Sequence, residues 1–350
     1  MTTTRRLVYF EEWMDPVGPE MAAGIAATEV VRLDQRADPD TLWPVLAAAH
    51  GYQLRPSTET LKIFYPNAEF LGRCPELLAV ASAGAGYDMV DVDALTEAGV
   101  LLFNQTGANS ESVAQHVLAM MLTLSKQLIQ SDRAIRREAR DWTRWDYTGR
   151  EVTGKTVGIV GLGNIGRRVA QLSAALFGMR VLAYDPYITD ADFAERGAER
   201  MTDLTEMFAA ADFISINCPL TAETRGMIGA AQFAAMPRHA YFITTARGGI
   251  HDEAALAEVL AADGIAGAGL DVFEAEPPAH DHPLVQFDNV IVSPHNAGVT
   301  VDCNHNMAVS AAGQWAEVFA GKRPRNLVNP DAWEAFLGRY HARFGADAAE

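Results

Sequence analysis

The sequence predicts an α/β protein of two domains, each a doubly wound parallel sheet covered by helices on both faces. Three observations predict it. The chain has 350 residues, and at about 150 residues per domain that makes two. Short β-type runs alternate with helical stretches along most of its length, the order that builds a parallel sheet. Those runs are continuously apolar rather than alternating, as strands buried on both faces are.

Taken in order, Leu7–Phe10, Leu77–Ala81 and Val100–Phe103 read as strands in the first third. Ser110 to Arg140 reads as one long helix. Ser110 suits its N-cap with Glu111 behind it, and Val113, Val117, Met120, Met121 and Leu124 supply its apolar positions; from Ser131 it turns polar and basic. The aromatic cluster Trp142–Tyr147 suits a packing surface between domains or subunits, or ordinary core. The middle block is more regular, with strands at Thr156–Val160, Arg180–Tyr184, Phe213–Ile216, Ala240–Thr244, Ala268–Asp271 and Val290–Ser293. A second long helix follows at Ala308–Ala320. Two long helices bracketing one α/β block predict a domain inserted within another. Residues 1–109 and 300–350 then form one discontinuous domain, and 110–299 the other.

Composition narrows the function. Apolar residues make up 49% and charged residues 21%, ordinary for a globular chain. Lys and Arg total 28 against 45 Asp and Glu, a net charge of −17, which repels phosphate backbones and anionic membrane surfaces. Neither nucleic acid nor membrane is an expected partner. Cys74, Cys218 and Cys303 lie far apart with no C-x-x-C, against a disulfide framework or zinc ribbon and in keeping with a reducing compartment. The apolar run at Leu7–Phe10 is too short for a secretory signal, and no run reaches a membrane span. The expectation is a cytoplasmic protein without a metal.

Gly161-Leu-Gly163-Asn164-Ile165-Gly166 matches G-x-G-x-x-G directly after an apolar strand and at the start of a helix with Ile165, Val169, Leu172 and Leu176 on one face, stopped by Gly178. A second strand ends in Asp185, about 20 residues on, as a dinucleotide site requires. Gly161 permits the tight turn, Gly163 lets the backbone approach a pyrophosphate, and Gly166 lets helix and strand pack. The helix N-terminus binds the anion. Asp185 accepts from ribose hydroxyls and repels a phosphate there, which favours NAD over NADP.

Three ionisable residues follow later strands, each beside Gly or Pro: Arg247 before Gly248, Glu276 before Pro277, and His295 after Pro294. Singly each has an ordinary reading, as a surface arginine, a solvated glutamate and a structural histidine. Together they form a machine for a 2-oxo acid. The guanidinium grips a carboxylate and polarises a carbonyl. The imidazole donates a proton to a developing alkoxide, and the carboxylate orients the ring.

From about Gly51 to Pro330 the chain resembles the NAD-dependent D-2-hydroxyacid dehydrogenases. The resemblance rests on Gly84-Ala-Gly-Tyr-Asp88, Asn104–Asn109, the glycine motif, Cys218-Pro-Leu-Thr221, Ala246-Arg-Gly-Gly249, Leu270-Asp-Val-Phe273, Glu276-Pro277 and Ser293–Gly298. It implies a flavodoxin-like substrate domain, a Rossmann cofactor domain, and Arg247, Glu276 and His295 as catalytic residues. It implies NAD contacts from Gly161, Gly163, Asn164, Ile165, Gly166, Asp185, Cys218, Pro219, Thr224, Thr245, Ala246 and Asp271, the last meeting the nicotinamide carboxamide. Ala83, Gly84, Ala85 and Gly86 would offer amides to the substrate carboxylate, with Arg55 a second anion contact, and the assembly would be a homodimer.

Departures bear on the substrate. Ser82 stands where similar 3-phosphoglycerate enzymes carry an arginine, Asn296 replaces an apolar residue after the histidine, and no regulatory domain is expected to follow. These disfavour phosphoglycerate and leave a polar or acidic small 2-oxo acid, or a hydroxypyruvate-type one. Two other readings stay open: an NAD(H)-binding sensor of the corepressor type, and a dehydrogenase of a different small anion, formate or phosphite. His280 and His282 read as a solvated loop, and His251 and His305 as structural. His116 faces either the core or an interdomain cleft.

Overall fold

The computed structural model describes residues 4–55, 59–137 and 141–345. The last residues of the long helix expected to reach Arg140 lie outside them, as does the stretch directly after Arg55. The chain divides into two compact units. Unit 1 takes the residues up to Asn109 and those from Val301 on; unit 2 is Ser110–Thr300.

Unit 1 begins β1 (Arg5–Phe10), α1 (Val17–Ala23), β2 (Thr28–Leu33), α2 (Pro39–Ala47), β3 (Gly51–Gln53), α3 (Ala68–Arg73), β4 (Ala79–Ala81), α4 (Val92–Glu97) and β5 (Leu101–Phe103). Three of these helices, α2 to α4, start where short polar side chains satisfy the first free amides. Asp38 accepts from Asp40 N ahead of Pro39, Asn67 from Phe70 N, and Asp91 from Ala94 N. The five strands are parallel in the order β2-β1-β3-β4-β5. This is the flavodoxin-like order, whose direction reverses between β1 and β3. Two of these strands were not read from sequence. Thr28–Leu33 mixes charged and apolar residues because it is a half-exposed edge strand. Gly51–Gln53 is fully buried but only 3 residues long.

Unit 2 runs α5 (Ser110–Ser125), α6 (Leu128–Arg136), β6 (Thr156–Val160), α7 (Asn164–Phe177), β7 (Arg180–Tyr184), α8 (Asp190–Glu195), β8 (Glu199–Arg200), α9 (Leu204–Ala210), β9 (Phe213–Ile216), α10 (Ala230–Ala235), β10 (Tyr241–Thr244), α11 (Glu253–Ala261), β11 (Gly267–Leu270) and β12 (Val290–Val292). All seven strands are parallel, in the order β12-β11-β10-β9-β6-β7-β8. The order reverses between β6 and β9, the Rossmann arrangement with one added edge strand. Apolar layers cover both sheet faces: Phe208, Ile214, Phe242 and Leu256 on one, Val117, Met121, Ile159 and Val169 on the other.

The chain then returns to unit 1 as α12 (Val301–Phe319) and α13 (Trp333–Phe344). Trp315 is fully buried against β3 and β5. Its indole N–H donates to Gln53 Oε1 at 2.9 Å. Only a glycine at position 51 leaves room, since a Cβ there would lie 2.6 Å from the indole ring.

Two expectations need correction. Ser110–Arg140 is not one helix: the backbone breaks at Gln127, which is left-handed with φ +51. The cause is the returning chain, whose Arg150 N–H takes the Ser125 carbonyl at 2.7 Å and ends α5. Leu176 does not join the buried face of α7 but is 63% exposed; Gly166, Val169, Ala170 and Ser173 form that face. Among the described residues, no helix is long and apolar enough to cross a membrane.

Candidate active site

The site in unit 2 is built along the carboxyl ends of its strands. β6 ends in a turn where Gly161 has φ +87 and packs against the Cys218 backbone, where a Cβ would come within 2.8 Å. α7 begins with Gly163 as N-cap and no side chain capping it, so its first amides stay available to an anion. A Cβ at Gly163 would meet nothing within 4 Å, whereas one at Gly166 would strike the Gly161 carbonyl. The turn thus presents bare backbone with open space before it, as a pyrophosphate needs; Asn164, Ile165 and Gly166 supply the first helical amides. Asp185 follows β7. Its Oδ2 accepts from Leu162 N at 2.9 Å and its Oδ1 from Tyr187 N at 3.1 Å, so it braces the glycine turn and each oxygen keeps a further lone pair.

Cys218 and Pro219 follow β9. Thr224 closes that loop, donating its hydroxyl to the Pro219 carbonyl at 2.7 Å and accepting from Thr221 N at 2.8 Å. Burial pushes the Cys218 thiol up to about 11, so it stays a neutral packing group rather than a nucleophile. Thr245 and Ala246 follow β10, and Thr245 is buried.

The three ionisable residues come from the next three loops. Arg247 donates through Nη1 to the Ala246 carbonyl at 2.7 Å. The next residue must be glycine, because a Cβ at 248 would lie 2.0 Å from the Phe273 carbonyl oxygen. That close approach brings the Arg247 loop against the Glu276 loop. Glu276 Oε1 accepts from Phe273 N at 3.1 Å, and Oε2 lies 2.8 Å from His295 Nδ1. Burial works to raise the Glu276 carboxyl, but the His295 hydrogen bond and charge, the Phe273 amide and the Arg247 guanidinium outweigh it and hold it below the usual range. An ionised Glu276 only accepts, so His295 donates from Nδ1. Nε2 is left to exchange a proton on a ring that is 39% exposed.

Asp271, at the end of β11, is 1% exposed. Its Oδ1 accepts from Ser293 Oγ at 2.6 Å and Asn296 N at 2.9 Å, and its Oδ2 from Ala297 N at 3.0 Å. His295 N donates to the Asp271 carbonyl at 2.8 Å. These bonds hold His295 at φ +52, a backbone state that non-glycine residues rarely adopt. Asp271 therefore anchors the histidine turn in addition to any contact with a nicotinamide. His116 on α5 lies 3.1 Å from Ser293 Oγ. Because Ser293 gives its proton to Asp271, His116 Nε2 is the donor. Sequence reasoning placed Ser293 in the strand and motif but gave it no role, and left His116 undecided, for the two stand 177 positions apart.

Unit 1 has its own carboxyl edge. The carbonyls of the Ser82–Gly86 turn are held from behind: Gln105 side chain to Ser82 O at 3.1 Å, Gln105 N to Gly84 O at 2.9 Å, Asn104 to Ala85 O at 2.8 Å, and Ser82 Oγ to Gly86 O. Among the described residues, the amides of Ala83, Gly84, Ala85 and Gly86 meet no protein acceptor, and a row of unspent amides suits an anion. Arg55 is different: its guanidinium is already bonded to Glu11 and Glu59.

The remaining histidines serve the fold. His282 caps a short turn and lies 3.0 Å from Glu253 Oε2, so it is less solvated than its Pro-rich loop suggests. His251 is 3% exposed and His305 lies 3.6 Å from Asp15.

Comparison with known proteins gives the family. The family model for the D-isomer specific 2-hydroxyacid dehydrogenase NAD binding domain matches residues 118–297. A D-3-phosphoglycerate dehydrogenase of Mycobacterium tuberculosis is 38% identical over 315 residues, 90% of this chain and 58% of that one. The chain thus spans under two thirds of that relative's length. Among solved structures, the holo form of D-mandelate dehydrogenase from Rhodotorula graminis superposes with a TM-score of 0.83 at 26% identity, over 93% of this chain and 98% of that one. D-lactate dehydrogenase from Aquifex aeolicus, complexed with NAD and lactic acid, gives 0.77 at 27% identity, over 92% and 99%. With its glycine turn, its paired glutamate and histidine and these relatives, the chain belongs to the D-isomer specific 2-hydroxyacid dehydrogenase family.

Proposed function

We propose that this protein is an NAD(H)-dependent oxidoreductase that interconverts a small 2-oxo acid and its D-2-hydroxy acid. The observation that carries the reading is the Glu276–His295 pair, 2.8 Å apart, with the Arg247 charge acting on Glu276. Bound NADH supplies the hydride to the keto carbon. His295 delivers its Nε2 proton to the oxygen that becomes the hydroxyl. Glu276 holds the ring by Nδ1 and fixes its tautomer. Arg247 grips the substrate carboxylate and polarises the carbonyl. In oxidation the same nitrogen takes the proton back.

The curated relatives are named for 3-phosphoglycerate, but Ser82 in place of an arginine turns the reading towards unphosphorylated acids. Exposed Leu128, Ile135 and Trp145 on unit 2 are consistent with a homodimer, and the protein is expected to act in the cytoplasm. The test is NADH oxidation with glyoxylate, hydroxypyruvate, pyruvate, phenylpyruvate, oxaloacetate and sulfopyruvate, with His295→Ala alongside. Turnover of one acid that falls about 100-fold or more in the variant supports the reading. NADH binding with no turnover of any acid overturns it in favour of a sensor.

A further inference from the structure

The sheet of unit 1 reverses between β1 and β3, and open α/β sheets take ligands outside the carboxyl ends of their strands at that point. Two opposite charges stand there. Glu11 directly follows β1, with φ +46, and Arg55 lies just past β3. Arg55 Nη1 bonds Glu11 Oε2 at 3.1 Å and its Nη2 bonds Glu59 Oε2. Gln35 closes the ring. Its backbone N–H donates to Glu11 Oε1 at 2.8 Å, and its side-chain amide donates to Glu11 Oε2 at 3.2 Å and to the Glu59 carbonyl at 2.8 Å. Its Oε1 accepts from Leu61 N at 2.8 Å.

The Arg55 side chain is 19% exposed, and both terminal nitrogens are spent on carboxylates. An unpaired arginine in this place would fork onto an anion. This one is held by two carboxylates, and the clamp as a whole is net negative. The neighbouring strand β4 leads into the Ala83–Gly86 turn, and Leu54 N reaches the Ala81 carbonyl at 2.8 Å, so clamp and free amides share one edge.

We propose that the Glu11–Arg55–Glu59 clamp sets the substrate class. The amides of Ala83–Gly86 take the carboxylate of the 2-oxo acid, and the clamp meets its distal end. It accepts an uncharged, hydroxyl-bearing group and repels a carboxylate, sulfonate or phosphate. Glu11 and Glu59 are specificity residues that keep Arg55 from acting as an anion receptor. The inference rests on the functional reading above.

Hydroxypyruvate and sulfopyruvate test it, since they share a carbon skeleton and differ in a neutral or anionic end. The readout is the ratio of their kcat/KM values within each protein, so a general loss of activity cancels. The native chain should favour hydroxypyruvate by about tenfold or more. Glu11→Gln and Glu59→Gln should each move the ratio about tenfold towards sulfopyruvate, and the double variant further. Arg55→Ala, which leaves two carboxylates, should move it the other way. Thermal melts confirm that each variant folds, and the two glutamines open different arms of the clamp, so one folded variant suffices. A native preference for sulfopyruvate, or a ratio unmoved in the folded glutamine variants, overturns the clamp while leaving the functional reading in place. Failure of the native chain to reduce any 2-oxo acid overturns both.

Discussion

His295 has to be held where its backbone does not settle by choice, and the surrounding residues show the cost being met. Left-handed φ costs a non-glycine residue about 1–2 kcal/mol, and three donors onto Asp271 offset it. Ser293→Ala removes one of them, worth about 1.5–3 kcal/mol for a bond to a charged acceptor. It should lower kcat roughly tenfold while KM moves little, because the ring is misplaced rather than removed. His116→Ala should do the same more weakly; equal loss in KM would show that both residues act through substrate binding instead. Glu276→Gln should cut kcat of reduction about tenfold or more while KM moves less, since the ring loses the carboxylate that holds Nδ1. An unchanged kcat would remove Glu276 from the proton step. Because the Glu276 carboxyl is held below its usual range, its contribution is present above about pH 4.3 and disappears only as pH falls through the lower folded value. Arg247, Glu276 and His295 were legible because each stands beside Gly or Pro after an apolar run. The Ser293–Asp271–His116 contacts and the Glu11–Arg55 clamp were not, because hydrogen bonds between distant positions leave no periodic mark.

At the scale of elements, patterning revealed what was apolar on both faces and missed what was not. Six of the seven strands of the middle block stand within a residue or two of where continuous apolar runs placed them, and the seventh, β8, is two exposed charged residues with no apolar run. The edge strand β2 escaped because its solvent side carries Glu29 and Arg32. The break between α5 and α6 escaped because its cause, the arrival of Gly149 and Arg150, lies outside the helix. Two substitutions test the backbone account. Gly248→Ala places a methyl 2.0 Å from the Phe273 carbonyl and should cost about 3 kcal/mol or more in overpacking together with most activity. Activity retained within twofold would show that the β10 and β11 loops do not need their close approach. Ala27, exposed at φ +52 in the turn before β2, should become more stable as Ala27→Gly, by up to about 1 kcal/mol in chemical denaturation.

For the whole molecule, stability should depend on pH well above the carboxylate range. His251 is lowered to about 4 by burial, against a small opposing effect of Asp252. His50 is lowered to about 4 by burial and then by Arg343, Arg6 and Arg5. Both are neutral in the fold and take protons more readily when unfolded, so their contribution is complete above pH 6.5 and is lost as pH falls towards 4. For His251 the loss is of order 3 kcal/mol. His251→Leu should flatten unfolding free energy against pH across that window; a slope unchanged from the native chain would place the proton uptake elsewhere. The division of the chain has a consequence in time. The sheet of unit 1 emerges from a ribosome early, but the helix carrying Trp315, which closes one of its faces, lies beyond all of unit 2. At about 5–20 residues per second, that sheet waits some tens of seconds with the faces of Gly51 and Phe103 uncovered. Unit 2, contiguous in the chain, can complete itself meanwhile. The first domain to be synthesised is the last to finish folding, and it is the nascent form that chaperones and proteases would meet first.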